Sequence, residues 1–119
     1  MATSKLEISF FRSEQQVEPV REWLKELTKE EKRIIGTDLK TIQFGWPLGM
    51  PLVKNVGNSI WEARSNLPQG KISRIFFLIY NDTIVLLHGF IKKSQKIPQK
   101  ELDLAKKRRQ QLEARYEKK

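Results

Sequence analysis

A single α+β domain, with a helical hairpin lying against an antiparallel sheet, is the fold the sequence predicts. Three observations carry it. Apolar residues recur at helical spacing from Val17 to Ile42, three β-favouring runs follow one another between Ile60 and Ile91 with only short turns between them, and a last helical pattern closes the chain over 98–117. The 119 residues suit one domain spanning 1–119, since a second core would be hard to fit, and 39% hydrophobic residues suffice to build one.

Residues 6–11 (Leu-Glu-Ile-Ser-Phe-Phe) alternate well enough for a first strand. Ser13-x-x-Gln16 reads as a capping box, after which Val17, Val20, Leu24 and Leu27 repeat at helical spacing and Trp23 widens the apolar face. Thr28-x-x-Glu31 is a stronger capping box, opening a helix that carries Ile34, Ile35, Leu39 and Ile42 and ends near Gly45. The two helices meet at Thr28 and so form a hairpin. Residues 45–59 break every period and read as a long loop. In it Lys54 and Trp46 are candidate phosphate and base contacts, while Trp46, Leu48 and Met50 equally fit a seal over the end of the core.

Strands follow at 60–64, 72–80 and 83–91. Their connections, a turn over 66–70 and the dipeptide Asn81-Asp82, are too short for parallel crossovers, so the three form an antiparallel meander. With the N-terminal strand the sheet has four. Pro98 suits the first turn of the closing helix, whose apolar stripe of Leu102, Ala105, Leu112 and Tyr116 is narrow and interrupted by Arg109.

The formal charge of +9 is unevenly spread. Residues 1–31 hold five Lys/Arg against seven Glu, whereas residues 92–119 hold eleven Lys/Arg against four Asp/Glu. A polyanion, nucleic acid above all, fits such a patch; an acidic protein surface fits it too. With no cysteine and one histidine, neither a thiolate site nor a histidine metal cluster can form, so metal-independent chemistry without a cofactor is expected. The sequence contains no secretory h-region and no bilayer-spanning run, so the cytoplasm is the expected location and no membrane is an expected partner.

Charged residues inside strands point to a site, because they are rarely buried unless paired. A two-residue turn at Asn81-Asp82 sets Arg74 opposite Gly89. A turn over 66–70 sets Ser65 opposite Lys71, Glu62 opposite Arg74 and Arg64 opposite Ile72. Opposed residues share a sheet face, so Glu62, Arg64, Arg74, Ile91 and Lys93 are expected together, with Gly89 leaving a gap. Fixed cations around a gap suit a phosphodiester, and the same spacing also fits a structural Glu62–Arg74 ion pair. In this register His88 faces the other way, beside Leu86 and Phe90. It is the one side chain whose unperturbed pKa suits proton transfer near neutrality, and a hydrogen-bonded core histidine is the alternative.

The runs Gly49-Met50-Pro51-Leu52-Val53-Lys54, Ile60-Trp61-Glu62-Ala63-Arg64, Arg74-Ile75-Phe76-Phe77, Leu86-Leu87-His88-Gly89-Phe90-Ile91-Lys92-Lys93-Ser94 and Glu101-Leu102-Asp103-Leu104-Ala105-Lys106 resemble the phage-derived branch of the RelE/HigB toxin superfamily. The resemblance covers nearly the whole chain. It implies a RelE-like α+β fold and a type II toxin that cleaves mRNA, usually on the ribosome, by attack of the ribose 2′-hydroxyl on the adjacent phosphate without a metal. It also implies a cognate antitoxin, often a helix-turn-helix protein, and contact with operator DNA only through the toxin–antitoxin complex.

Carried over by motif, Arg74 matches the arginine that contacts the scissile phosphate, Arg64 the arginine of the Glu-x-Arg strand, and Lys92 and Lys93 the basic strand end. His88 matches the histidine of the Leu-His-Gly-Phe run and completes the candidate catalytic set. Lys54, Glu62, Lys96, Lys106, Lys107, Arg108 and Arg109 are the expected RNA-binding residues. Lysines stand where the best-known branch has arginines at the strand end, and Tyr116 lies late for its catalytic tyrosine. The superfamily also includes gyrase inhibitors that cut no RNA, which makes a non-catalytic inhibitor of a host factor the competing function.

Overall fold

The Thr28 capping box forms as the sequence requires, and it fixes where the helical hairpin turns. The Glu31 amide donates to Thr28 Oγ1 at 3.1 Å and the Thr28 amide donates to Glu31 Oε1 at 2.9 Å. The computed structural model describes residues 6–94 and 96–117. Its elements are β1 (Glu7–Phe10), α1 (Pro19–Lys25), α2 (Lys29–Gly45), β2 (Val53–Gly57), β3 (Ile60–Asn66), β4 (Ile72–Tyr80), β5 (Thr83–Lys92) and α3 (Gln99–Glu117).

The expected class holds, with two corrections to the elements. The sheet is five-stranded and mixed, in the order β1-β5-β4-β3-β2, with β1 parallel to β5 and the other pairs antiparallel. The additional strand is β2, which lies within residues 45–59, the stretch read as a loop. Lys54-Asn55-Val56-Gly57 has no apolar alternation to reveal it, because an edge strand is held by backbone pairing and carries polar side chains outward. The second correction is at α1. Ser13 accepts from the Val17 amide at 3.2 Å within a turn, Gln16 has a φ of 67°, and the helix begins only at Pro19, whose ring suits a first helical position.

The sheet separates two apolar layers. Val20 of α1 and Ile35, Leu39 and Ile42 of α2 pack on Ala63, Ile75, Phe77, Ile84 and Leu86. Ala105 and Leu112 of α3 pack on Ile60, Phe76, Leu78, Val85, Leu87 and Phe90 from the other side. Trp46 belongs to the first layer, edge-on to Trp61 at 5.0 Å and to Phe77 at 5.7 Å, so it seals the core.

Register decides what each face carries. Asn81 and Asp82 form the expected two-residue turn, with φ of 49° and 58°, and Tyr80 faces Thr83. The pairing then slips at a bulge, because Phe77 faces Leu86 but Phe76 faces His88, leaving Leu87 as the extra residue. Beyond the bulge every β5 side chain changes side relative to the simple register. Arg74 therefore faces Phe90 and not Gly89, and His88 lies on the Arg74 face while Gly89 and Ile91 lie on the opposite one. Gly89 meets Trp23 there: a Cβ at this position would stand 2.5 Å from Trp23 Cζ3. Lys93 falls beyond β5, outside the shared face expected for it.

Candidate active site

β3 pairs with β4 so that Arg64 faces Arg74 and Glu62 faces Phe76. This differs by two positions from the register expected, and a two-residue slip leaves each side chain on its face. Lys54 of β2 faces Glu62, and Lys92 of β5 faces Ile72. Lys54, Glu62, Arg64, Arg74, His88 and Lys92 thus project from one face of the sheet.

They do not form one open constellation. Arg74 is 1% exposed and Glu62 0%. Arg74 Nη1 donates to Glu62 Oε2 at 2.8 Å, and its Nη2 donates to the Ser94 carbonyl at 2.7 Å. The buried guanidinium thereby ties three successive pieces of the sheet end together: β3, β4 and the chain leaving β5. Arg64 Nε stands 3.9 Å from the other oxygen of Glu62, with its side chain partly exposed. Two guanidiniums around one carboxylate leave a net positive charge, and Arg64 is the member through which it reaches the surface. Lys92 and Lys93 are exposed around the same end, and Lys96 is exposed on the chain that leaves it.

Arg64 also lines a cleft of about 400 Å³, with Ile34 and Asp38 of α2, Pro51 and Leu52 before β2, and Asn66 and Ile72 at the sheet end. Asp38 and Asn66 gave no signal in the sequence. Each is one polar residue among many, and only the approach of α2 to the sheet end brings them together.

His88 belongs to a different cluster, beneath α3. Its Nε2 lies 2.5 Å from Glu101 Oε1, and Arg108 Nη1, which donates to the Leu87 carbonyl at 2.8 Å, stands 3.3 Å from its Nδ1. Because arginine only donates, Nδ1 accepts and the ring hydrogen sits on Nε2, donating to Glu101; this is a neutral imidazole. Burial holds the pKa of His88 below its ordinary 6.5, against the opposing pull of Glu101. Arg109 Nη1 donates to the Asn58 carbonyl in the β2–β3 turn. Of the basic run expected to meet RNA, Arg108 and Arg109 thus fasten α3 to the sheet, Lys106 is half-buried and Lys107 is exposed.

This cluster predicts a pH dependence. Below 6.5 the unfolded chain takes up a proton that folded His88 resists, so its contribution is complete above 6.5 and declines as pH falls toward the lowered value. Urea unfolding followed from about pH 7.5 to about pH 5.5 should show a falling midpoint, with a shallower fall in His88→Gln. A wild-type slope no steeper than the variant's would remove His88 from this role.

Among the described residues no three His, Asp or Glu side chains converge as a metal site would need. No described helix is long and apolar enough to cross a membrane.

A helical hairpin on one face of a mixed sheet, a single helix on the other and a cationic sheet end define a broadly RelE-like α+β protein. A family model for the phage-derived Gp49-like proteins (DUF891) matches residues 22–110. The chain belongs to that family, which is of the RelE/HigB-like toxin type. No curated protein matches it.

Proposed function

We propose that the protein is the toxin of a type II toxin–antitoxin pair and that it cuts mRNA, on the ribosome, as a metal-independent endoribonuclease. The observation that carries this reading is the gathering of Arg64, Lys92 and Lys93 around one end of the sheet, beside an open cleft, with the exposed Lys96 on the chain that follows. A phosphodiester laid there meets cations from two strands. The ribose 2′-hydroxyl gives its proton to water as its oxygen bonds to phosphorus, the bond to the 5′-oxygen breaks, and a 2′,3′-cyclic phosphate and a 5′-hydroxyl result. Arg64 holds the non-bridging oxygens as their charge grows, and Lys92 or Lys93 stabilises the pentavalent state or gives the leaving oxygen its proton.

Arg74 takes a supporting part in this scheme. Buried against Glu62 and Ser94, it positions Arg64's strand and the lysine-bearing chain end without facing solvent. Lys54 and Lys107 add sequence-independent attraction for RNA. The proposed antitoxin is a helix-turn-helix protein that covers the basic surface and carries the toxin to operator DNA.

The burial of Arg74 favours one competing reading, a toxin that binds and blocks a host factor such as gyrase without cutting RNA. Inducing the protein in cells and mapping new mRNA 5′ ends separates the two. New ends should appear with the wild type and fall sharply in a Lys92→Ala, Lys93→Ala double variant of unchanged thermal stability. Growth arrest with intact mRNA would sink the nuclease reading and favour the inhibitor.

A further inference from the structure

From the cleft beside Arg64 we infer a guanine-binding subsite in which Asp38 reads the base; this rests on the nuclease reading and supplies its sequence preference. The volume of about 400 Å³ is at the small end of the range for small-molecule pockets, about 300–1,000 Å³, which suits one nucleotide. Ile34, Pro51, Leu52 and Ile72 supply the apolar part of the lining, against which a planar ring can pack. Arg64 belongs both to this lining and to the charged sheet end. A base in the cleft therefore has its phosphate within reach of the cations proposed to act on it.

The polar groups choose the base. Asp38 makes no ion pair among the described residues, although the chain carries 23 Lys and Arg. A carboxylate only accepts, and its two oxygens can take two adjacent donors. Guanine is the base whose Watson–Crick edge presents two, N1–H and N2–H₂. Uracil presents one at N3, while adenine and cytosine present one amino group beside a ring acceptor that a carboxylate repels. Asn66, with both a donor and an acceptor, can meet O6 or N7. Single-stranded RNA is read in this manner, by edges of bases splayed out of the stack.

The test is a titration of ¹⁵N-labelled protein with the 5′-monophosphates of guanosine, inosine, adenosine, cytidine and uridine, following the Asp38 and Asn66 amides. Guanosine monophosphate should bind tightest. Inosine monophosphate lacks only the N2 amine, and should bind about ten-fold or more weakly because a hydrogen bond to a charged group is lost. Asp38→Asn should erase the difference between these two. Equal affinities for all five, shifts confined to other residues, or an unaltered guanosine preference in Asp38→Asn would each overturn the subsite. Mapped cuts supply the second arm, with guanosine expected beside the cut in wild type and lost from that position in Asp38→Asn. Selective guanosine binding without any cleavage would overturn the nuclease reading and leave the subsite standing.

Discussion

Replacing Glu62 by Ala should destabilise the fold by about 3–5 kcal/mol, the scale found when one member of a buried ion pair is removed. The partner left behind is a guanidinium that is 1% exposed and cannot shed its proton. Only the Ser94 carbonyl at 2.7 Å would still accept from it. The reverse substitution, Arg74→Ala, should cost less, because Glu62 keeps a second cation, Arg64, already 3.9 Å from its free oxygen and able to close in. Urea midpoints of both single variants and of Glu62→Leu with Arg74→Met check this. The double variant should lie closer to wild type than Glu62→Ala does, since an apolar pair strands no charge. Equal, small losses in all three would mean that the pair contributes little. The asymmetry also bears on toxicity assays, because an inactive Arg74→Ala variant reports on folding as much as on chemistry. Activity must be compared among variants of matched stability.

The parts of the fold legible in the sequence are those fixed by local chemistry. Thr28 and Glu31 cap each other through contacts three residues apart, and Asn81-Asp82 supplies the two left-handed residues a tight hairpin needs. The site was legible in part because sheet faces depend on parity. Placing Arg64 opposite Ile72 was out by two residues, yet Glu62, Arg64 and Arg74 stayed on one face. The bulge at Leu87 had no such protection. One unpaired residue, unmarked by glycine or proline at that position, carried His88 to the Arg74 face and Gly89 to the side of Trp23. Contacts distant in sequence were out of reach in a different way. Nothing in Lys106-Lys107-Arg108-Arg109 distinguishes the exposed cation from the two that reach back to the sheet, since that depends on which face α3 turns inward. The burial of Arg74 was hidden for the same reason. Its second acceptor is the Ser94 carbonyl, a backbone atom with no trace in residue type.

Arg64→Ala should lower RNA cutting by about 10²–10³-fold, the effect of deleting one preorganised donor to a developing anion. Its cost in folding should be smaller than that of Glu62→Ala, because Glu62 keeps its 2.8 Å bond to Arg74 and no buried charge is stranded. Arg64 thus allows turnover and stability to be scored apart more cleanly than Arg74 does. Arg64→Lys refines the assignment. It retains the positive charge and loses the planar fork that can bond two phosphate oxygens at once. Turnover between wild type and Arg64→Ala is expected if both charge and geometry act on the phosphate. Single-turnover cleavage of a defined message, with thermal unfolding of each variant measured alongside, gives both quantities. Wild-type rates in Arg64→Ala would remove this residue from the chemistry and leave Lys92 and Lys93 as the cations to which the developing charge must be assigned.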